Sequence, residues 1–548
     1  MRTKIVLFFL LFVCKIAYAQ INLTAEQKVL SEKISQEKIY VHYNSNFLVT
    51  GESLYYKIYC LNIDTNAFSE LSKIAYLEII DAEKKTVLKQ KIQLNNGNGS
   101  GDIFIDNTFK TGNYKIISYT EWMKNKNLFY AENISIYNAF TKPTKNTTVD
   151  SNISNSKNTK QITYKKREKV TLPINLKKGN YSISIKKNAP NLIPQKTSSK
   201  KFNTTFKNNK HQSPTFHIPE FRGEVLLGKV SSNSTKNVAN LKVSFSIHEK
   251  NGNSKIASTN KDGTFYFIRK ETLENNKLFI QVLTDSVAKY NIELLKKTSP
   301  DYKDENFSEL LSTIKIRNEV KERSTFSQIE NAFSTLKKDI IFKPSLEETI
   351  FQKNATTYQL NDYKRFNSME ETFVEVIGNA WASKNNGSVT FHVRDENLDN
   401  NNTYKSLVII DGYLVNNHNL LADFHPKLIK TIHVFRKKYL LNSVTYQGVF
   451  YLETFNNSFI PSLNNSQLKV EGLNYTPKKT YYKQQYLTNS NTRIPDYRTQ
   501  LLWNPTIDTS KTEITFYTSD VTGIFEINIE GFTNEGKPVS LKQYFKVE

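Results

Sequence analysis

The chain has 548 residues, a formal net charge of +23 at pH 7, 38% hydrophobic residues and two cysteines. That length can fill about three or four ordinary hydrophobic cores, and the cysteine count excludes a disulfide-stapled scaffold. The lysines are spread along the chain rather than clustered, which reads as solvated surface, with an anionic envelope polymer as the alternative ligand for the excess charge.

Arg2 and Lys4, the apolar run Ile5 to Val13, and Ala17-Tyr18-Ala19 before Gln20 form a secretory signal, with cleavage expected after Ala19. The run is shorter than the roughly 20 apolar residues a membrane helix needs. No later stretch supplies them, so the chain is expected to be exported with no transmembrane segment of its own. A nucleic-acid partner does not suit that address. Cys14, preceded by Phe12-Val13, lacks the small residue that a lipidation site wants. With Cys14 removed, Cys60 is alone in the strand-like run Tyr55 to Leu61 and reads as a small buried apolar residue.

Residues 21–36 carry Leu23, Leu30 and Ile34 at helical spacing, suggesting a short leading helix. Strands follow. Ile39, Val41 and Tyr43 alternate with polar neighbours, Thr50-Gly51-Glu52 turns the chain, and Leu54 to Leu61 is a second strand. Further runs at Ile74 to Ile80, Val87 to Leu94, Asn113 to Tyr119 and Phe129 to Tyr137 make residues 20–140 a β-sandwich. Gly97, Gly99 and Gly101 sit among Asn and Ser, as in a loose hairpin. Ile39-Tyr40-Val41-His42, Thr50-Gly51-Glu52 and Gly112-Asn113-Tyr114, followed by Tyr119-Thr120-Glu121-Trp122-Met123, resemble macroglobulin-like domains of exported Bacteroidetes-type proteins. The thioester Cys-Gly-Glu-Gln of the protease-trapping members is absent, so the resemblance does not imply covalent trapping.

Residues 141–215 read as a linker with a short β segment, in which YKKREKVTLPINL and GNYSISIKK are strands in need of partners. The polar stretch Asn188 to Pro214 is expected to be mobile, with Phe202 and Phe206 as anchors. Residues 216–298 look like a second sandwich, similar to carboxypeptidase-regulatory-like or macroglobulin-like modules, with Asp262-Gly263 as a hairpin signal. Residues 299–372 change period. Phe307, Leu310, Leu311 and Ile314, then Phe326, Ile329, Phe333 and Leu336, predict two helices or one broken helix whose stripes pack into core. Ser368 with Glu371 is a capping box that opens a helix to Val376.

Residues 373–460 carry the most specific pattern. The apolar run Leu407 to Ile410 is closed by Asp411-Gly412, a short helix is expected before Thr431 to Phe435, and Gly448 introduces Val449 to Thr454. Ile410, Asp411, Gly412, Ile429, Ile432, Val434, Tyr446, Gly448, Val449, Leu452 and Thr454 resemble the plug domain of TonB-dependent outer-membrane receptors. That resemblance implies a small mixed sheet. Only 93 residues follow Phe455, too few for the roughly 22 strands of a transporter barrel, so a plug-like unit without its own barrel is expected. Asp411 reads as a turn cap rather than a catalytic carboxylate.

Residues 461–548 end in three strands, EITFYTSD, GIFEINIEGF and LKQYFKVE, read as an Ig-like sandwich. The fold class expected is therefore mainly β, with several macroglobulin-like or Ig-like β-sandwiches plus one α+β plug-like domain. No Gly-x-Ser-x-Gly, His-Glu-x-x-His, Cys-x-x-Cys or phosphate loop occurs. No catalytic, cofactor or metal set is assigned. Asp395, Asn397 and Asp399 have calcium-loop spacing, but Asn400 and Ser406 replace its glycine and bidentate Glu, so a solvated loop is favoured. The expected role is a non-enzymatic accessory or interaction subunit of an outer-membrane or envelope complex, in the periplasm or at the periplasmic face of the outer membrane. A surface adhesion or glycan-binding protein is the alternative, and a hydrolase the weakest reading.

Overall fold

The computed structural model describes residues 33–548 apart from 142–161, 189–194, 207–212, 214–215, 233, 235–236, 249–253, 271–276, 285–289, 308–309, 311, 344–347, 349, 397–403, 462–465 and 487–493. The expected leader, most of the leading helix, the linker 142–160 and most of the calcium-like loop lie outside the described residues. The architecture is mainly β.

The first sandwich faces the antiparallel strands Glu37–Tyr43, Ser53–Asn62 and Asn98–Phe104 against five strands, Phe47–Val49, Tyr130–Tyr137, Gly112–Tyr119, Ile74–Ile80 and Thr86–Gln93. Ile39, Leu54, Ile58, Leu77, Ile116 and Ile136 fill the space between them. The alternation of Glu37–Tyr43 predicts a half-buried strand, yet all seven of its residues are buried. The polar side of the strand is covered by a second domain: Tyr40 packs on Phe202 and Phe532, and His42 bonds Ser182 and lies against Trp503. Alternation reports one buried face and cannot see a neighbouring domain on the other.

The partners of the two orphan strands come from the far end of the chain. Gly179–Lys187 lies between Gln500–Asn504 and Gly523–Thr533, the sheet continues to Pro538–Val547, and Ile162–Tyr164 closes it in parallel. Opposite stand Lys169–Pro173 and Glu513–Tyr517. Residues expected as a linker segment and as a separate terminal sandwich thus share one core, which includes Tyr181, Ile183, Ile185, Phe516, Phe525 and Phe545. Between them, Ser199–Thr205 is a helix capped by Ser198, where a mobile stretch was expected.

The third sandwich is split in the same way. Glu224–Ser232, Thr264–Arg269 and Tyr290–Leu294 face Lys255–Ser258, Lys242–Ile247, Lys277–Val282 and the late strand Gln467–Glu471. Asp262-Gly263 does not close a hairpin. Lys255–Ser258 and Thr264–Arg269, on its two sides, belong to opposite sheets, so the turn arches over the core.

Where two helices or one broken helix were expected, one helix, Ile314–Ala332, is followed by a short 3₁₀ turn, Ser334–Leu336. Thr313 starts the helix by accepting the Ile316 N–H. Phe307 and Leu310 precede it and pack on the first sandwich. Its buried face carries Ile316, Arg323, Ser324 and Ser327 rather than the aromatic stripe, because that face meets a polar turn of the first sandwich.

Inserted into the third sandwich is an α+β unit with a five-stranded mixed sheet, in the order Thr356–Gln359, Ile429–Leu441, Val444–Thr454, Leu407–Ile410, Tyr413–Leu414. Leu407–Ile410 runs parallel to Val444–Thr454 and the other pairs are antiparallel. The helix Met369–Glu375 and the hairpin of Ala380–Asn385 with Ser388–Val393 supply Met369, Phe373, Val389 and Phe391 to one face. Phe351, with Ile256 of the third sandwich, covers the other. Ser368 accepts the Glu371 N–H, and Glu371 reaches back to the Asn367 N–H. The chain is therefore nested, with the α+β unit inside the third sandwich and both inside the second.

Candidate functional site

The residues singled out by sequence form the frame of the α+β unit, not its surface. Ile410, Asp411, Tyr446 and Val449 are all buried. Asp411 has φ +48° and Gly412 φ +85°, a left-handed pair that reverses Leu407–Ile410 into Tyr413–Leu414. The Asp411 carboxylate does not cap its own turn. It accepts from Thr454 N at 2.8 Å, Thr454 Oγ1 at 2.5 Å and Phe459 N at 3.1 Å, tying the turn to the end of the long hairpin. Gly448 has φ +70°, and a Cβ there would stand 2.5 Å from Val393 Cβ. Only glycine lets the strand Ser388–Val393 and the sheet approach this closely where the pairing register shifts between Phe435 and Lys438.

A second feature lies where the first sandwich, the second sandwich and the helix Ile314–Ala332 meet. A cavity of about 220 Å³ opens between them, walled by Glu52, Tyr55, Lys186, Arg323, Tyr481 and Trp503 among others. Separate stretches supply these side chains, and only the Thr50-Gly51-Glu52 turn stands out in the sequence. Glu52 takes Arg323 Nε at 2.8 Å and Nη2 at 2.5 Å, and also accepts the Val49 N–H at 3.0 Å. Arg323 Nη2 donates to Phe47 O, and its guanidinium stands 4.7 Å from the Phe47 ring. Burial works against ionisation of Glu52, but the adjacent Arg323 outweighs it and holds the carboxyl below its ordinary range.

The other carboxylates of the wall are also engaged. Glu330 takes Lys337 at 2.6 Å and the Tyr497 N–H, and Asp339 accepts the Tyr482 N–H at 2.9 Å. Arg498 is held by Asp496 at 2.6 Å. Lys186 differs from these: its ammonium has no hydrogen-bond partner and no ion pair within 4.0 Å among the described residues. Burial, with the nearby Arg323 charge second, pulls its ammonium down to about 7. Aromatic rings also line the cavity, Tyr55 meeting Tyr481 edge-on at 5.2 Å and stacking on Trp503 at 6.0 Å. The Trp503 indole N–H is buried with no acceptor among the described residues.

No group of three or more His, Cys, Asp or Glu side chains among the described residues is placed to hold a metal ion. Among the same residues no helix is long and apolar enough to cross a membrane. Cys60 is buried and unpaired, and burial, with Glu37 beside it, pushes its thiol up.

No protein-family model matches the chain, and no curated protein does. Among solved structures it is similar to Escherichia coli alpha-2-macroglobulin activated by porcine elastase, at 9% identity and a TM-score of 0.24, over 93% of this chain and 44% of that one. Salmonella alpha-2-macroglobulin reacted with methylamine gives 7% identity and 0.23, over 94% and 40%. Dimeric latent PorU from Porphyromonas gingivalis gives 11% and 0.16, over 47% and 33%. The chain spans less than half the length of these macroglobulins, and the scores are far below those of a shared overall fold.

Proposed function

We propose that the chain is a non-enzymatic, exported scaffold whose nested sandwiches mount a plug-like α+β unit for docking on an outer-membrane protein or envelope complex. The mixed sheet and the buried Ile410-Asp411-Gly412 and Tyr446-x-Gly448-Val449 frame support the plug-like reading. The observation that carries the docking is the outward side of that unit. Thr356–Gln359 ends the five-stranded sheet, its outer edge pairs with no strand among the described residues, and three of its four residues are exposed. Nearby, Tyr363, Val374 and Trp381 are exposed at 43, 70 and 39%. An open strand edge beside apolar side chains is a surface that another chain can extend or cover. Ile256 and Phe351 close the other face of the sheet, so docking is assigned to the edge and the helix–hairpin side.

The test is recovery of the intact protein from envelopes solubilised in mild detergent, beside a Val374→Asp, Trp381→Ser variant. Co-purification of one defined outer-membrane protein with the unaltered chain, lost with the variant, is expected. A fully soluble protein that brings down nothing refutes the reading. Proteolysis of intact cells separates the alternative: ready cleavage places the chain outside and favours adhesion.

A further inference from the structure

The cavity between the first two sandwiches and the long helix has a chemistry that the docking role does not use. Lys186 follows Ser184 by two residues, and Ser184 is the cross-strand partner of Trp503. Alternation along a strand sends Ser184 and Lys186 to one face of the sheet, and Trp503 leaves that same face from the neighbouring strand. The register shifts between Ile185 and Lys186, which sets Lys186 opposite Gln500, so the Lys186 and Trp503 side chains share one wall without being adjacent in the ladder. Every carboxylate on the cavity wall already holds a cation or a backbone N–H, as described above. Of the charged groups on the wall, the Lys186 ammonium is the one left without a partner among the described residues, while the unpartnered Trp503 indole N–H is sealed beneath the wall. A buried donor without an acceptor costs free energy that a ligand can recover. The complement of an ammonium without a partner is an anion. Tyr55, Tyr481 and Trp503 add an aromatic surface on which a flat apolar body can lie. A dry cavity of about 150 Å³ accommodates benzene, so one of about 220 Å³ has room for a single ring and a carboxylate.

We propose that this cavity binds a small monocarboxylate bearing one aromatic ring, its carboxylate on Lys186 and its ring against Tyr55, Tyr481 and Trp503. The site is independent of the outward side of the α+β unit, so either proposal stands if the other falls. Binding requires cationic Lys186. With its ammonium pulled down to about 7, the lysine is charged below that pH and neutral above it, while an arylacetic acid, ionising near the ordinary carboxylate value of about 4, is anionic throughout. The charges that face Lys186 are Arg323 and Glu52 of the cavity, with Lys196 and Glu319 farther off, and both Arg323 and Glu52 are locked in their own pair. Affinity should therefore fall about tenfold between about pH 6 and about pH 8.

The probes are phenylacetate, its neutral isostere phenylacetamide, and acetate, titrated into the full chain at about pH 6 by calorimetry and by tryptophan fluorescence. Phenylacetate is expected to bind and to perturb the fluorescence, with the amide and acetate at least about tenfold weaker. Lys186→Gln should weaken phenylacetate at least about tenfold, Lys186→Arg by no more than a few-fold, and Trp503→Phe should remove the fluorescence change. Lys187→Gln, on the opposite face and paired with Glu322, should bind as the unaltered chain does. Circular dichroism checks that each variant is folded, and Lys186→Arg keeps the test decisive if Lys186→Gln is not. No phenylacetate binding at about 10 mM, equal binding of the amide, or full binding by folded Lys186→Gln overturns the proposal.

Discussion

Replacing Arg323 by Met should unfold the junction between the helix Ile314–Ala332 and the first sandwich more readily than any surface change. The Arg323 side chain is 3% exposed and that of Glu52 10%. Arg323 gives Glu52 two hydrogen bonds, and Glu52 keeps only the Val49 N–H without it. Removing one member of such a pair strands a buried charge, at about 3–5 kcal/mol, where an exposed pair is worth less than about 1 kcal/mol. For a cooperative unit of about 150–250 residues, each kcal/mol shifts Tm by about 2–4 °C, so the transition should fall by roughly 6–20 °C. Adding Glu52→Gln removes the stranded charge but keeps an acceptor for Val49 N, and should return at least about 2 kcal/mol. The pH dependence has a defined sign. The Glu52 carboxyl is held below its ordinary value in the folded chain, so its stabilisation is complete above about pH 4.3 and is lost as pH falls through the folded value. In Arg323→Met burial is opposed only by the Lys186 charge and the Val49 N–H, so the folded carboxyl lies higher than in the unaltered chain and the deficit of the variant should narrow as the medium is acidified. Calorimetry and urea denaturation between about pH 4 and about pH 8 measure both effects. A loss under about 1 kcal/mol, or a double variant no better than Arg323→Met alone, would falsify the account.

Three further outcomes follow from buried geometry. Gly448→Ala forces a Cβ to 2.5 Å from Val393 Cβ at a φ of +70°, and should cost about 2–4 kcal/mol in thermal unfolding of the α+β unit; a loss below about 1 kcal/mol would show that the bulge relaxes. Asp411→Ala leaves Thr454 N and Phe459 N without their acceptor and should cost about 2–5 kcal/mol, with Asp411→Asn intermediate; equal stability of the two variants counts against the tie. Cys60, with its thiol raised by burial, should resist an aromatic disulfide reagent at about pH 8 until denaturant is added, and prompt labelling of the native chain would contradict its position.

The local signals in the sequence are accurate where one face of one element decides the outcome. Ser368 opens its helix, Leu407–Ile410 is a fully buried strand, and Gly448 lies in the long strand that ends at Thr454. The signals say less where a second domain decides. Tyr40 and His42 look solvated from their alternation but are buried by Phe202, Phe532 and Trp503. The helix Ile314–Ala332 buries Arg323 because Glu52 waits opposite, 271 residues earlier in the chain. Nothing in the neighbourhood of either residue announces that pairing. The cavity is illegible for the same reason. Lys186, Trp503 and Tyr481 each sit in unremarkable strands or loops, and their joint meaning exists only once the second sandwich has closed.

That closure is where sequence order and spatial order part. Gly179–Lys187 can complete its sheet only when Gln500–Asn504 and Gly523–Thr533 arrive, and Lys277–Val282 waits similarly for Gln467–Glu471. The entropic cost of closing a loop grows only logarithmically, by about 0.6 kcal/mol for each doubling of length, so housing whole domains inside such loops is thermodynamically mild. Its consequence is structural. The C-terminal end of the α+β unit returns directly to the third sandwich at Gln467–Glu471, whereas its N-terminal end arrives from the helix Ile314–Ala332, which is tied to the first sandwich. Ile256, Phe279 and Gln281 of the third sandwich pack on or bond to the unit, so the third sandwich, not a flexible tether, sets its orientation.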